Sequence, residues 1–396
     1  MTGNRVTQLN RSGGWWSTGA TDVAEIIAFL LAGVAGTSFF TLAPMLIGAL
    51  VDGMHLSLRE VGWVASCQLG GSALGNLCML LLGRSISLRY TLVTSLVVVG
   101  LANGATVFAH ELATLLVCSL TAGLAGGIAF SVVNAAVARL PVAGVMFAAI
   151  SVAQMLFGAI GFLAIPALVA AFGLGAMFAA LGACAFICAV VAYALIGDAP
   201  VHGSRWHASL SISPRGTVLL VALFATYLTS TAVWTHLERI GVAARLTGGV
   251  IDIGLSVGML AGIVGAIGAT SLLLRTRCSD HFLVGGAILM AGSTGLLIKA
   301  SAPAAYLIAL FGFNAAQSFV TPLYLSRLAA ESEGDARILL ALLAMYLGLI
   351  GGPMLGTSLV VALGYQALIL VAAALFAASS ILAFGARRSS PQMVTP

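Results

Sequence analysis

Four titratable side chains lie close together in a sequence that contains few charges. His236, Glu238 and Arg239 occur within YLTSTAVWTHLERIG (227–241), Asp252 follows them, and only 7% of all residues are charged. A carboxyl group in apolar surroundings has its pKa raised towards neutral pH, whereas a neighbouring arginine favours its ionised form. Such a cluster could take up and release a proton, and we name these four residues as candidates for proton coupling.

No enzymatic motif accompanies this cluster. Residues 254–258 (GLSVG) have the G-x-S-x-G spacing of a serine hydrolase, but that motif needs a strand, a sharp turn and a helix. Here it lies inside a long apolar run, where small residues favour close packing of helices. The sequence has neither HExxH nor a phosphate-binding glycine-lysine loop. We therefore predict no enzymatic activity, no metal and no cofactor.

The elements that must position these residues are long apolar helices. Of 396 residues 60% are hydrophobic, and the mean hydropathy is +1.11. A bilayer core about 30 Å thick needs roughly 20 apolar residues per helix, and unpaired backbone groups are too costly in lipid. The predicted spans are 24–51, 60–82, 90–109, 112–138, 144–170, 175–197, 215–241, 250–273, 281–300, 303–327, 338–361 and 365–386. This pattern predicts an all-α membrane protein with twelve transmembrane helices.

One polar segment, DAPVHGSRWHASLSISP (198–214), divides the helices into two sets of six. It is the only sustained fall in hydrophobicity between the first helix and the last. We predict a cytoplasmic N-terminal tail (1–23), an N-terminal six-helix bundle (24–197), a cytoplasmic linker (198–214), a C-terminal six-helix bundle (215–386) and a cytoplasmic C-terminal tail (387–396).

The basic residues predict the orientation, because Lys and Arg accumulate in short cytoplasmic loops. With both termini inside, only Arg59, Arg239, Arg245 and Lys299 of the 17 basic residues fall on the outer side. The net charge of +5 therefore reflects loop topology, and no basic run alternates with aromatic residues as a nucleic-acid surface would. We predict a monomeric, multi-pass protein of a bacterial inner membrane, without a nucleic-acid partner.

The two halves of the chain resemble each other. SCQLGGSALGNLCMLLLGRSISLR (66–89) and SVGMLAGIVGAIGATSLLLRTRCSDH (256–281) both run from a glycine-rich helix into a basic loop, at the same place in each half. Two parallel repeats of six helices describe the major facilitator superfamily, and the chain resembles that family along essentially its whole length. The resemblance implies a secondary transporter that binds its substrate between the halves and works by alternating access.

Three family motifs are altered in this chain. The loop LLLGRSISLR lacks the usual acid, and helix 4 has Ser119 before Gly123 where many proton-coupled members have arginine. Helix 5 lacks the Gly-Pro run of drug antiporters, although GLIGGPMLG (348–356) in helix 11 is similar to it. Efflux of drugs or metabolites by proton antiport therefore stays an alternative.

The resemblance also implies which side chains face the substrate, because helices 1, 4, 7 and 10 line the cavity in this family. The candidate substrate contacts are Ser38, Phe39, Asn134, Tyr227, Trp234, Asn314, Gln317 and Tyr324, and the candidate gating or inner-mouth residues are Arg84, Arg139 and Arg327. The same residue types also have explanations that need no ligand. These are interhelical packing and hydrogen bonding, interfacial ion pairs, an aromatic anchor at Trp234, and the positive charge of inside loops.

Glycines spaced four residues apart predict helices in close contact. The pairs are Gly71/Gly75, Gly100/Gly104, Gly123/Gly127, Gly258/Gly262, Gly348/Gly352 and Gly352/Gly356. Such pairs serve either static packing or an interface on which one bundle slides over the other, and the spacing does not distinguish the two.

We combine these observations into one functional hypothesis. The chain is expected to be a proton-coupled transporter of a small amphipathic organic solute, such as an aromatic or other organic acid, because aromatic walls with few amides and no central charge suit such a molecule. Its expected partners are the solute, protons and the lipid bilayer. A membrane sensor or scaffold that transports nothing is the alternative from a different class.

Overall fold

Twelve long α-helices and one short one make up most of the computed structural model, which describes residues 23–82, 84–109, 111–140, 143–198, 200–202, 214–275, 280–330 and 336–385. The helices are α1 (Val23–Met54), α2 (Leu58–Leu82), α3 (Leu88–Thr106), α4 (Leu112–Val137), α5 (Ala143–Phe172), α6 (Gly175–Leu195), α7 (Pro214–Trp234), α8 (Leu237–Ala243), α9 (Gly248–Arg275), α10 (Asp280–Leu296), α11 (Pro303–Ala330), α12 (Ala336–Leu363) and α13 (Tyr365–Gly385). Two short strands are β1 (Arg84–Ser87) and β2 (Pro200–His202). The predicted N- and C-terminal tails lie almost wholly outside the described residues.

Eleven of these helices are long and apolar enough to cross a bilayer. The remaining long helix, α2, has a lower mean hydropathy because it contains polar residues such as Gln68, Ser72 and Asn76. The prediction of an all-α membrane fold is confirmed, and the predicted helices 8 to 12 correspond to α9 to α13. Successive long helices alternate in direction, so the C-terminal ends of α1 and α4 lie at opposite faces of the molecule. We name these faces after a residue at each end, the Asp52 face and the Arg139 face.

The two halves repeat the same packing. In the N-terminal half α2 packs on α4, α3 on α6 and α1 on α5, and in the C-terminal half the equivalent pairs are α9 with α11, α10 with α13 and α7 with α12. The halves contact each other mainly through α5 with α9 and α2 with α12. The largest core cluster includes residues of both halves, such as Leu46 and Leu255, so apolar burial continues across this interface.

The predicted continuous helix over 215–241 is wrong at one point. α7 ends at Trp234 and α8 begins at Leu237, with His236 between them at φ −111° and ψ 1°. The hydroxyls of Thr231 and Thr235 donate to backbone carbonyls four residues earlier, each at 2.8 Å. Such bonds compete for the helical acceptors, and at this point the backbone N–H of His236 bonds the Val233 carbonyl three residues earlier, at 3.0 Å. Trp234 and Glu238 therefore do not share one face of a continuous helix.

The strands β1 and β2 form an antiparallel pair that joins the α2–α3 loop to the segment after α6. Ser87 accepts from the backbone N–H of Tyr90, which caps α3, and its hydroxyl donates to the Asp198 carboxylate. Arg89 donates to the Ile196 carbonyl. The loop LLLGRSISLR, which has no acid of its own, thus contacts the carboxylate of Asp198 at the start of the predicted linker. Residues 203–213 of that linker lie outside the described residues.

Candidate functional site

A cavity of about 990 Å³ lies between the two halves. Its walls come from α1, α2, α4 and α5 on one side and from α7, α9, α11 and α12 on the other. The lining includes Ala138 and Arg139, both exposed, so the cavity opens on the Arg139 face. In the other direction it ends near Phe40 and Trp234. The cavity is therefore open at one face of the molecule and closed towards the other.

The N-terminal wall carries two hydrogen-bonded amide side chains. Gln154 Nε2 donates to Thr37 Oγ1 at 2.8 Å and lies 3.4 Å from the Gly33 carbonyl oxygen. Asn76 Nδ2 donates to the Ser72 carbonyl at 2.7 Å, and Asn76 Oδ1 accepts from the Ser131 hydroxyl. Each amide therefore leaves part of its hydrogen-bonding capacity for a molecule in the cavity.

The C-terminal wall has a similar arrangement. The Ser230 hydroxyl donates to Gln317 Oε1 at 2.5 Å, and Asn314 Nδ2 donates to the Leu310 carbonyl at 3.1 Å. The Thr321 hydroxyl donates to the Gln317 carbonyl at 3.0 Å, so the Tyr227 hydroxyl, 3.1 Å away, is the donor towards Thr321. Both walls thus present amides that are held in place by their own helices or by a neighbour.

The cavity lining is nearly uncharged. Among the lining residues that the structure describes, Arg139 at the mouth is the one charged side chain. Phe40, Phe130, Phe313 and Tyr346 give the walls their aromatic surface. This composition suits an amphipathic organic molecule, because apolar walls bury its surface and a few polar groups fix its orientation.

An ion-pair cluster, which we name the gate cluster (Asp52, Glu238 and Arg239), closes the Asp52 face. Arg239 donates from Nη1 to Asp52 Oδ1 at 2.8 Å and from Nη2 to Asp52 Oδ2 at 2.6 Å. Arg239 Nη2 also donates to Glu238 Oε1 at 2.7 Å. Asp52 belongs to α1 whereas Glu238 and Arg239 belong to α8, so the cluster joins the two halves.

Exposure differs strongly within the gate cluster. The side chains of Arg239 and Glu238 are 8% and 13% exposed, whereas that of Asp52 is 66% exposed. Burial in α8, outside the membrane-spanning helices, raises the pKa of Glu238 above its ordinary value, although the Arg239 guanidinium opposes this. Glu238 is therefore a carboxyl group that binds a proton at a higher pH than a free glutamate does.

His236 lies buried beside the gate cluster. Its Nδ1 lies 2.9 Å from the Ala232 carbonyl oxygen, to which it donates, and its Nε2 lies 3.3 Å from the Thr357 hydroxyl. Burial lowers the pKa of His236 to about 4. The imidazole is consequently neutral at physiological pH, which makes Glu238 the better candidate for a proton switch.

Further contacts between the halves lie between the cavity and the Asp52 face. The Ser66 hydroxyl donates to the Ile350 carbonyl at 3.0 Å, and the Ser256 hydroxyl donates to the Ala159 carbonyl at 2.9 Å. Ser256 thus takes part in helix packing, in agreement with our rejection of a hydrolase motif.

Trp234 closes the end of the cavity. Its indole Nε1 donates to the Phe40 carbonyl at 3.0 Å, and its ring packs edge-on against Phe162 with centroids 6.1 Å apart. Phe40 and Phe162 belong to the N-terminal half and Trp234 to the C-terminal half. Trp234 therefore bonds across the interface at the point where the cavity ends.

The α5–α9 interface repeats one contact in both directions. Met155 of α5 packs on Gly262 of α9, and Met259 of α9 packs on Gly158 of α5. The spacing Met-x-x-Gly is the same in both helices. A methionine side chain adapts its shape readily because it is unbranched and flexible. This part of the interface between the halves is therefore deformable.

The structure places the predicted substrate contacts in two groups. Phe39, Asn134, Tyr227, Trp234, Asn314 and Gln317 line the cavity. Ser38 and Tyr324 are buried away from the lining, and the Ser38 hydroxyl donates to the Ala35 carbonyl at 3.0 Å. Neighbouring helical residues point about 100° apart, which explains why Phe39 reaches the cavity and Ser38 does not. The binding roles of all eight residues stay predictions.

The remaining predicted site residues are dispersed. Arg139 lines the mouth, Arg327 is half-buried in α11 outside the lining, and Arg84 lies in β1 with its side chain outside the described residues. Asp252 is half-buried in the first turns of α9. Their roles in gating and proton coupling are likewise predictions.

Asp52 is the main residue that the sequence reasoning missed. It lay one residue beyond the predicted end of helix 1, whereas α1 continues to Met54. A carboxylate inside a membrane helix is costly and is a candidate functional residue by that fact alone. The rule that selects Glu238 also selects Asp52 once helix 1 extends by a single residue.

We expect Trp234→Phe to loosen the closed end of the cavity while keeping the aromatic ring. The loss of one buried hydrogen bond is worth about 1 kcal/mol, or about fivefold in an opening equilibrium. Hydrogen exchange over residues 235–247, followed by mass spectrometry, should accelerate by about that factor. Trp63→Phe, at a residue 39% exposed, is the control. Equal exchange in both variants would contradict a closing role for the indole N–H.

Comparisons with known proteins agree on one architecture. Residues 28–336 match the family model of the Major Facilitator Superfamily. The nucleoside transporter NupG superposes with a TM-score of 0.70 at 12% identity, covering 92% of this chain and 98% of that one. A bacterial homologue of the human lysosomal transporter Spinster, in an inward-facing and unoccupied conformation, superposes with a TM-score of 0.68 at 12% identity, covering 92% and 96%.

A human protein shows the same likeness. The organic anion transporter MFSD10 (TETRAN) superposes with a TM-score of 0.62 at 16% identity, covering 91% of this chain and 98% of that one. A search of curated protein sequences gave no match. At identities this low, the three superpositions establish the fold and do not transfer a substrate.

Proposed function

Because this chain belongs to the major facilitator superfamily, we propose that it is a secondary active transporter of a small amphipathic organic solute, coupled to protons. The observation that carries the proposal is the cavity between the halves, open at the Arg139 face and closed by the gate cluster at the Asp52 face. Family membership indicates a transporter and not an enzyme. In this proposal the Arg139 face is cytoplasmic, so the structure corresponds to an inward-open state.

Alternating access would require the Asp52 face to open, which would break the ion pair between Asp52 and Arg239 that joins the halves there. Asp52 is 66% exposed, so its pair with Arg239 is worth about 1 kcal/mol or less. The Met155–Gly262 and Met259–Gly158 contacts can adjust as the halves rotate, since methionine is flexible. These features support a rocking movement about the α5–α9 and α2–α12 interfaces.

Proton coupling is proposed to act through Glu238. Burial at the closed face raises its pKa, whereas water at an open face would return the pKa towards its ordinary value. Proton binding and closure of the Asp52 face would therefore favour each other. The groups that face Glu238 are Arg239 and Asp52 of the gate cluster, Asp252 of α9, Tyr365 of α13, and Tyr306, whose hydroxyl donates to the Leu237 carbonyl.

A ligand screen on the purified protein is the first test. A molecule that binds the folded state raises its apparent stability, so metabolites and drugs are screened for thermal stabilisation at acidic and at neutral pH. We expect one chemical class to stabilise the protein, with an effect that depends on pH. If no compound stabilises the protein and none is moved in proteoliposomes, the proposal fails and the sensor or scaffold alternative gains support.

We expect Glu238→Gln to abolish uptake driven by a pH gradient while leaving solute exchange intact, because Gln cannot release a proton. The measurement is uptake of the identified ligand into proteoliposomes with and without a gradient. Glu60→Gln is the matched control, since Glu60 lies outside the gate cluster and its carboxylate accepts from the backbone N–H and the hydroxyl of Ser57 at the start of α2. Undiminished gradient-driven uptake by Glu238→Gln would remove Glu238 from the mechanism.

An organic anion is the second candidate for the solute, because Arg139 is positively charged and lines the mouth. Export by proton antiport is the alternative direction. Cells that lack the protein distinguish the directions: reduced accumulation of the solute indicates import, whereas sensitivity to toxic amphipathic compounds indicates efflux.

A further inference from the structure

We infer that the cavity selects an uncharged solute in which a hydrogen-bond donor lies beside an acceptor, as in a carboxamide, a lactam or a cyclic imide. The inference rests on the proposed function, because it specifies the solute class of the same cavity. Two glutamines carry it. Gln154 lines the cavity from α5 in the N-terminal half, and Gln317 lines it from α11 in the C-terminal half.

Gln154 presents an acceptor to the cavity. Its Nε2 donates to Thr37 Oγ1 at 2.8 Å and lies 3.4 Å from the Gly33 carbonyl oxygen. A carbonyl oxygen only accepts hydrogen bonds, which assigns the nitrogen of this amide to the side that faces α1. Gln154 Oε1 has no hydrogen-bond partner among the described residues, and it is left to accept from a bound molecule.

Gln317 presents the opposite group. Its Oε1 accepts from the Ser230 hydroxyl at 2.5 Å, so its Nε2 amide hydrogens are left without a partner in the described part of the chain. Asn314 adds an acceptor, because its Nδ2 is engaged by the Leu310 carbonyl and its Oδ1 is not. At the two glutamines and Asn314 the walls therefore offer a donor on the C-terminal side and acceptors on both sides, and Asn134, which also lines the cavity, carries both kinds of group in one amide.

A ligand edge held between the two glutamines would be selected by its charge. A carboxylate would accept from the Gln317 N–H groups, but it would also face the Gln154 oxygen, and neither of those two groups has a hydrogen to donate to the other. An ammonium group would donate to Gln154 and Asn314 but would face the Gln317 N–H groups. A neutral amide or imide edge satisfies both kinds of group, and leaving a buried polar group unpaired lowers affinity substantially. The aromatic side chains Phe130 and Phe313 suit a ring attached to that edge.

The experiment compares ring compounds that differ only in their polar group. Purified full-length protein is titrated with benzamide, benzoate and benzylamine, and then with larger ring systems that carry the same three groups, using thermal stabilisation and proteoliposome flux. We expect the carboxamides to bind at least tenfold more tightly than the matched carboxylates and amines. Tighter binding of the carboxylates or of the amines would overturn the inference while leaving the proposed transporter function intact.

Variants of Gln317 test the residue directly. Gln317→Glu removes both N–H donors and adds a negative charge, so carboxamide affinity should fall at least tenfold and amine affinity should rise. If that variant does not fold, Gln317→Met, which keeps the volume without a donor, should lose carboxamide affinity without gaining amine affinity. Gln366→Glu, on the exposed surface of α13, is the matched control.

The possible outcomes separate the two proposals. Carboxamide preference that Gln317→Met leaves unchanged would overturn the inference alone. The absence of binding and of flux for compounds of all three charge classes would overturn the proposed function and the inference with it. Carboxamide preference that is lost in Gln317→Met and kept in Gln366→Glu would support both.

Discussion

Replacing Gly71 with alanine is expected to destabilise the protein by about 2 kcal/mol or more, because the new methyl group would collide with backbone. A Cβ at Gly71 would lie 2.4 Å from the Leu120 carbonyl oxygen and 2.8 Å from the Leu124 nitrogen of α4. Backbone atoms cannot rotate aside as a side chain can, so α2 and α4 would have to separate. Their packing against each other is a principal contact of the N-terminal half.

The adjacent glycine provides the control. A Cβ at Gly70 would meet no atom within 4 Å, so Gly70→Ala should cost little, since alanine is the better helix former. Thermal unfolding of both variants in detergent measures the difference.

The C-terminal half offers a second pair of variants. A Cβ at Gly265 would lie 2.0 Å from the Ala315 carbonyl oxygen, whereas for a Cβ at Gly268 the nearest atom would be 3.6 Å away. Equal unfolding temperatures within either pair would refute backbone contact at that position.

Replacing Arg239 with leucine is expected to destabilise the protein by about 3 kcal/mol at neutral pH, because it leaves Glu238 as an unpaired buried carboxylate. The side chain of Glu238 is 13% exposed, so its carboxylate is much less accessible to water than that of Asp52. Most of the loss comes from Glu238 and little from Asp52, which is 66% exposed and would be solvated.

The stability that Arg239→Leu loses at neutral pH should return on acidification. Burial already raises the pKa of Glu238 while Arg239 opposes this shift, and removing Arg239 leaves the effect of burial unopposed. A group with a raised pKa in the folded state is destabilising when ionised, so the deficit is complete above that raised pKa and disappears as the pH falls through it. Thermal unfolding of the wild type and of Arg239→Leu across a pH series measures this dependence.

The double variant Glu238→Gln/Arg239→Leu isolates the carboxylate. It removes the group that is left unpaired, so it should be more stable than Arg239→Leu at neutral pH and should show no recovery on acidification. A deficit of Arg239→Leu that does not change with pH, or that the double variant retains in full, would show that Glu238 is not its source.

Much of the fold follows from the sequence because lipid permits few alternatives. Apolar runs of membrane-spanning length must be helices, and their repeated order indicated two similar halves. The same reasoning missed two features. The helix breaks at His236 between α7 and α8, and the β1–β2 pair forms between segments that are far apart in sequence. Neither feature produces a periodic pattern of hydrophobic residues, so a hydropathy pattern cannot reveal it.

The sequence by itself determined that many helices approach closely, since Gly-x-x-x-Gly spacing places small residues on one face. Only the tertiary structure decided which helix each face meets. Gly71 and Gly75 meet the α4 backbone inside the N-terminal half, whereas Gly158 and Gly262 meet methionines across the interface between the halves. Helical periodicity sets which residues share a face, but partners such as Asp52 and Arg239, 187 residues apart, are set by how the two halves pack.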